Sequence, residues 1–413
     1  MKKEGTNKRT MVLFSCYNKN GDSMKRLIQI SLDTLLFSLM PILMWIVLGY
    51  TVQKEIANVF SLTYPLQFFF GIFTSIFAVG PNITSLKKEK PNIIYSNMIF
   101  GVIFVGILTL LLVINIDSYI SFLNMDPKVY RLFGIYSIIL LYLVFIVNII
   151  IEKLYYKKEN NTANKISFIF NISNFVLIVL LTYFLPVYLG IILTLIIDSL
   201  IIIVLLFKFF KREKFELMFK ENVGYTSFGI ISNIFMFLTH AIGISNSFSF
   251  GKKYITAMSI HSLTVDTQWD MLGSVSTVSK IDLANKEFDY KKSKKDAYQL
   301  LGCLITSTII MNIVLYLYFR PNLTITIILL IISIIDMLAH PIIYMKLSYL
   351  QINDNKKRHN ASYTVAETIR LLCSFIPNPF CLYIGQLSAM IYFWFYTRIT
   401  CRKVKLFHYK KHQ

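Results

Sequence analysis

Charge is scarce in this chain. Asp, Glu, Lys and Arg together make up 15% of its 413 residues, against about 25% in soluble domains. With 55% hydrophobic residues and a mean hydropathy of +0.58, this shortage excludes a disordered chain, a soluble nucleic-acid binder and an ordinary cytosolic enzyme. Five cysteines show neither CxxC nor paired spacing, so no zinc site and no disulfide framework is expected. There is no GxxxxGK[ST] loop, HExxH or serine-nucleophile motif and no large polar domain. ATP-driven transport and intramembrane hydrolysis therefore lack machinery, and no catalytic residue, metal or cofactor is expected. The only apolar run near the start, MVLFSC at 11–16, is too short for a signal-peptide core; the first true span is expected to act as an uncleaved signal-anchor.

What the chain has is apolar length. Spans are read near 27–50, 55–85, 93–114, 130–151, 165–185 and 187–207. A second set lies near 223–250, 255–279, 298–319, 322–345, 361–379 and 381–400. Each is long enough to cross a hydrocarbon layer that takes about 20 residues. Excess Lys and Arg marks the cytoplasmic side. With the amino terminus inside, 35 of the 42 basic residues fall in cytoplasmic segments and 6 in outer loops; Arg370 alone lies within a span. The net charge of +20 is thus a topology signal and not a nucleic-acid footprint. The reading is an all-α integral membrane protein of twelve transmembrane helices with both termini cytoplasmic. Its parts are a basic tail (1–26), a six-helix bundle (27–207), a cytoplasmic linker (208–222) touching anionic headgroups, a second bundle (223–400) and a basic tail (401–413).

The halves look related. Lys153-Leu-Tyr-Tyr156 recurs as Lys346-Leu-Ser-Tyr349, and Tyr188-Leu-Gly190 as Tyr383-Ile-Gly385. Ser61-Leu-Thr63 recurs as Ser262-Leu-Thr264, and Gly71 answers Gly273. A near-constant offset and matching span order predict two six-helix bundles in parallel repeat, a transporter layout with the substrate path between the halves.

On these residues the chain resembles the multidrug and toxic compound extrusion (MATE) transporters, part of a wider superfamily of multidrug, oligosaccharidyl-lipid and polysaccharide exporters. IANVFSLTYPLQFFFGIFTSIFAVGPNITSLKKEKPN at 56–92 resembles that family's second span, with an early Ala, central Pro65 and following Gly71. AMSIHSLTVDTQWDMLGSVSTVSKIDLANKEF from Ala257 onward resembles its eighth span. KKENNTANKISFIFNISN at 157–174 resembles its fourth-to-fifth connection, and Gly190 and Thr194 its entry to the sixth span. The resemblance covers roughly residues 25–400. It implies two bundles around a central cavity and export of organic compounds against an inward flow of H+ or Na+. Asp336 matches a tenth-span carboxylate of the family, and Asn171 and Asn174 match its fifth-span Asn pattern. Carboxylates common in its first and seventh spans are absent, since Met44-Trp45-Ile46 and Phe237 stand there.

Ionisable groups inside spans are expensive and mark function. Asp266 and Asp270, four apart, share a helix face at ~18 and ~24 Å from Tyr254 along the helix, deep enough for neighbouring carboxylates to resist joint ionisation. Asp336 lies ~20 Å from Leu323, with His340 one turn on. These four are the expected ion-coupling residues. Asp198, Asn171, Asn174, Glu367 and Arg370 are candidate cavity-lining residues, with an internal ion pair as the alternative for Glu367 and Arg370. Asp33, seven residues beyond Arg26, is close enough to the interface to be hydrated, and His240, without an acidic neighbour at helical spacing, reads as a core histidine. Pro41, Pro65 and Pro341 interrupt spans and are candidate hinges.

The functional reading is a secondary antiporter in the plasma membrane. It exports a small organic, cationic or xenobiotic compound by alternating access, as a monomer and without ATP. Two rivals stand beside it. A flippase for lipid-linked oligosaccharide needs intramembrane cations for a pyrophosphate, and only Arg370 is available. A membrane-embedded lipid-donor transferase needs an acidic cluster at the membrane surface, and Asp282, Glu287 and Asp289 form the only one.

Overall fold

The computed structural model describes residues 7–52, 59–88, 93–209, 216–247, 261, 265, 267–285, 287–352, 356–378 and 380–403. They form helices, with no strand among the described residues. The first half holds α1 (Asn7–Thr51), α2 (Val59–Thr74), α3 (Gly80–Lys88), α4 (Ile93–Ile114), α5 (Ile116–Phe122), α6 (Pro127–Tyr156), α7 (Asn160–Phe184) and α8 (Val187–Phe209). The second holds α9 (Phe219–Ser247), α10 (Thr267–Ala284), α11 (Tyr290–Phe319), α12 (Leu323–Ile352), α13 (Lys356–Ser374) and α14 (Cys381–Lys403). A π-helical turn at Ser75–Val79 joins α2 to α3.

In hydrocarbon every backbone N–H and C=O must find a partner within the protein, and an apolar segment does so by coiling on itself. α4 is the simplest case: 22 residues without a charge, ~33 Å long at the helical rise. Polar residues set the ends. Asp126 accepts the Lys128 N–H at 2.9 Å ahead of Pro127, the first residue of α6, a position where the missing proline N–H costs nothing. Asp289 accepts from the N–H groups of Lys291 and Lys292 and starts α11. α11 stops at Arg320, left-handed at φ 46°, whose N–H returns to the Tyr316 carbonyl.

Nine helices among the described residues are long and apolar enough to cross a membrane, making this a multi-pass membrane protein. All six spans of the first half qualify, as do α9, α11 and α12. α10 (the described part of the eighth span), α13 and α14 complete the twelve-helix layout. α1 begins at Asn7, inside the segment read as a tail, and short α5 occupies what the sequence suggested was a plain outer loop.

α6 is the centre of the first bundle, buried along most of its length between α2, α4, α7 and α8. In the second, α13 packs on α9 and α14, and α12 on α10 and α14. Large apolar residues such as Ile103, Ile107 and Leu110 on α4, or Leu200 and Val204 on α8, remain exposed, as a lipid-facing stripe requires. The halves meet along two seams, α1 against α10 and α2 against α9. Each seam joins the first span of one half to the second span of the other, so the interface repeats the internal symmetry.

Candidate functional site: a cavity between the halves

A cavity of about 480 Å³ lies at the junction of α1, α2, α6, α9 and α10. The first half supplies most of its wall, including Phe37, Pro41, Trp45, Gln67, Phe70, Ser137 and Phe145, while the second half contributes Asn233, Asp270, Gly273 and Thr277. Asp270 is the one ionisable residue among the described lining residues. Aromatic faces around a carboxylate suit an organic cation. Trp45 is itself held edge-on by Phe133 and Tyr136, at ring distances of 6.0 and 5.8 Å.

Two repeat-related glycines line this space with opposite consequences. A Cβ on Gly71 would meet the Asn233 side-chain oxygen at 2.9 Å, so this glycine is what lets Asn233 lie against α2 at the cavity wall. A Cβ on Gly273 would meet nothing within 4 Å.

Behind the α10 wall, the second bundle gathers the expected coupling residues. Asp336 and His340 are fully buried. The His340 Nδ1 is 2.9 Å from the Asp336 backbone oxygen and 3.4 Å from its Oδ2, which Gln386 approaches at 3.5 Å. The other Asp336 oxygen is buried without a hydrogen bond. Trp269, next to Asp270 in sequence, has its ring 6.1 Å from that of His340, and His340 packs on Tyr344 at 4.9 Å. Tyr344 lies within electrostatic reach of Asp270, Asp336, Glu367 and Arg370. Through it the cavity carboxylate and the buried acid share one neighbourhood. Glu367 and Arg370 pair at 2.8 Å, and Ser232 donates to the other Glu367 oxygen at 3.1 Å. None of Glu367, Arg370, Asp198, Asn171 and Asn174 is among the residues lining the cavity.

The first bundle has its own buried polar chain. Asn174 donates to Asp198 at 2.6 Å and lies 2.9 Å from the Tyr136 hydroxyl, which in turn donates to the Met44 sulfur at 3.6 Å. The carboxylate here thus comes from the sixth span and reaches toward the Met44–Trp45 stretch, where a first-span acid was looked for. Asn171, one turn earlier, donates to the Ser167 carbonyl of its own helix. Asp33 is buried, its Oδ1 accepting from Asn164 at 3.0 Å, so the expectation of a hydrated interfacial residue is corrected: α7 packs against α1 and covers it. Pro41 lines the cavity, and Pro65 and Pro341 are buried inside α2 and α12, both of which continue through them. Asp266 lies outside the described residues.

One end of the cavity is closed by contacts crossing between the halves. Arg26 pairs with Asp282, and Ser31 shares a 2.6 Å hydrogen bond with Ser274 along the α1–α10 seam. Lys158 pairs with Glu287 at 2.8 Å and Lys88 with Glu221 at 2.9 Å. Half-buried Lys280 lies within electrostatic reach of Glu152 on α6. Burial pushes the Lys280 ammonium down to about 8, the Glu152 carboxylate opposing that shift. Burial likewise raises the Asp282 carboxyl, with Arg26 pulling the other way. Thr277 and Thr34 stand ~8 and ~12 Å along their helices from Asp282 and Arg26, so the cavity floor rests just above these pairs. The acidic cluster of Asp282, Glu287 and Asp289 is thereby accounted for by two cross-half ion pairs and a helix cap.

No protein-family model and no curated protein sequence matches this chain. Solved structures do. The Vibrio cholerae MATE transporter VcmN in its bent form superposes with a TM-score of 0.66 over 94% of this chain and 98% of that one, at 14% identity. An outward-facing multidrug resistance MATE transporter of the MOP superfamily gives 0.62 over 93% and 97%, at 16% identity. A MOP-superfamily transporter from Pyrococcus furiosus, described as having a binding pocket of reversed polarity, gives 0.60 over 94% and 97%, at 15% identity. The fold is that of the MATE transporters.

Within the MATE fold, Asp270, Asp336, His340 and the Glu367–Arg370 pair were singled out from the sequence because each is an ionisable residue in an apolar run; of these, Asp270 lines the cavity. Sequence reasoning passed over Asn233, which sits one turn before Phe237, and Thr277, because uncharged polar residues in spans are common. His261 also escaped it; this residue is buried, with Nε2 3.1 Å from Ser333 Oγ, one turn before Asp336. Trp45 was legible only as the occupant of a missing acid's place.

Proposed function

We propose that this chain is a secondary active exporter of the MATE type. It carries a small organic cation outward against an inward flow of H+ or Na+. The observation that carries this reading is the placement of Asp270 in an aromatic cavity between the halves, within the electrostatic neighbourhood that Tyr344 shares with the buried Asp336–His340 pair.

Asp270 meets the cationic group, and aromatic faces hold the apolar body. Asp336 is the coupling acid: an ion arriving there removes a negative charge from the neighbourhood of Tyr344 and Asp270, weakening the hold on the cation and releasing it. A ligand shifts such a two-state system only by its differential affinity for the two states, and this shared electrostatic neighbourhood supplies the difference. The halves rock about the α1–α10 and α2–α9 seams. The end closed by Arg26–Asp282 and Lys158–Glu287 faces the cytoplasm, as the basic residues require, and those pairs must part for substrate to enter. The protein works as a monomer in the plasma membrane with both termini inside. No lysine or arginine is among the described lining residues, which weighs against a pyrophosphate-bearing lipid cargo.

The test is efflux of a fluorescent organic cation from pump-deficient bacterial cells, with the proton and sodium gradients collapsed in turn. Wild type should extrude the dye only while the coupling gradient stands, and Asp336→Asn should lose that dependence. Transport indifferent to both gradients and to neutralisation of Asp336 and Asp270 would sink the reading.

A further inference from the structure

Gly273 occupies a distinctive place on the cavity wall. Asp270, Gly273 and Thr277 lie at i, i+3 and i+7 on one stripe of α10, and all three line the cavity. A carboxylate and a hydroxyl therefore flank a position with no side chain, and a Cβ there would meet no described atom within 4 Å beyond its own helix backbone and chain neighbours. The repeat-related Gly71 also lines the cavity, but its free space is already taken by the Asn233 amide. Of the two equivalent positions, one is filled and one is open.

We infer that Gly273 is a specificity-determining residue: its missing side chain leaves a notch beside Asp270 that admits the bulky substituents flanking a substrate's cationic centre. The inference rests on the proposed cation site and adds to it which molecules the site accepts. A cation held at Asp270 carries its alkyl or aryl groups within a few ångströms of the charged atom. On the α10 side, Gly273 leaves open space for them one turn from the carboxylate. Small cations bind without using it; large ones bind only if it stays open.

Binding of tetramethylammonium, tetraethylammonium, tetrapropylammonium and tetraphenylphosphonium to the purified full-length chain tests this. The comparison is wild type against Gly273→Ala, Gly273→Val and Gly273→Leu. The ratio of large-ion to small-ion affinity should fall stepwise with side-chain volume. By Gly273→Leu it should have dropped about tenfold or more, since a methylene's worth of misfit in a snug pocket costs that much. Because a large side chain could upset folding, Gly273→Cys in a background free of the native cysteines gives a second route. The protein folds first, and methyl, propyl or benzyl methanethiosulfonate then fills the notch in graded steps with the same expected order. Equal loss for all four ions, or an unchanged size ranking, would overturn the inference. Asp270→Asn should weaken all four ions alike. If it weakens none while the Gly273 series still sorts ions by size, the cation reading fails and the notch stands. A wild-type chain that binds no ion of the series refutes both.

Discussion

Removing Arg26 should open the closed end of the cavity, and the size of the effect follows from burial. The Arg26 and Asp282 side chains are 12% and 7% exposed, whereas Lys158 and Glu287 are 45% and 44% exposed. An exposed pair contributes about 0–1 kcal/mol. Breaking a buried one strands a charge and costs about 3–5 kcal/mol. Arg26→Ala leaves the Asp282 carboxylate buried without its cation, and we take the lower end, ~3 kcal/mol, because Arg26 retains some water contact. That is roughly a 150-fold shift toward the open state. The assay is labelling of Thr277→Cys by a membrane-impermeant maleimide in inside-out vesicles, with the five native cysteines replaced. The labelling rate should rise by up to two orders of magnitude in Arg26→Ala and by no more than about fivefold in Lys158→Ala. Arg26→Ala/Asp282→Ala should recover most of the closure, since neither charge is then stranded. An Arg26→Ala protein labelled at the wild-type rate, or no better labelled than Lys158→Ala, would refute the reasoning.

Other expectations follow from the same geometry. Lys280 sits near 8 when the end is closed and returns toward its ordinary 10.5 when water reaches it. Closing therefore releases a proton between those limits, and closure strengthens as pH rises through the window and weakens as pH falls through about 8. Thr277→Cys labelling, normalised to a surface cysteine, should drop from pH 8 to pH 9.5, and Lys280→Met should flatten that profile. In the second bundle, Arg370→Leu strands the buried Glu367 and should lower the thermal stability of the detergent-solubilised protein by about 3–5 kcal/mol. Glu367→Gln/Arg370→Leu should restore much of it; unfolding of Arg370→Leu at the wild-type temperature would show that the pair holds nothing together.

Features confined to one helix were legible in the sequence, and those made between helices were not. Apolar runs located most of the described spans, although α1 begins well before its expected start and α6 and α12 extend past the lipid-length core into polar caps that hydropathy does not register. Asp336 with His340 and Glu367 with Arg370 were visible because helical spacing alone brings them together. The Asp198–Asn174 bond joins residues 24 apart on two helices, and nothing local announces it. The same holds for Asn233 resting on Gly71 and for Arg26 meeting Asp282, 256 residues away. Asp33 was misjudged for the related reason that depth along a helix says nothing about which neighbour covers it. The π turn at Ser75–Val79 has no proline or glycine within it to betray it.

The two halves also differ in how they can enter a membrane. By length and composition all six spans of the first half are apolar enough to cross a membrane, whereas α13 and α14 are less apolar among the described residues. α13 carries Glu367 and Arg370 near its middle, and a charge at that depth costs an isolated helix about 2.5–3.5 kcal/mol at the translocon. Packing against α9 and α14 is what shelters that polarity. α13 must therefore leave the insertion machinery escorted by its neighbours, so the buried Glu367–Arg370 pair also bears on the order of biogenesis.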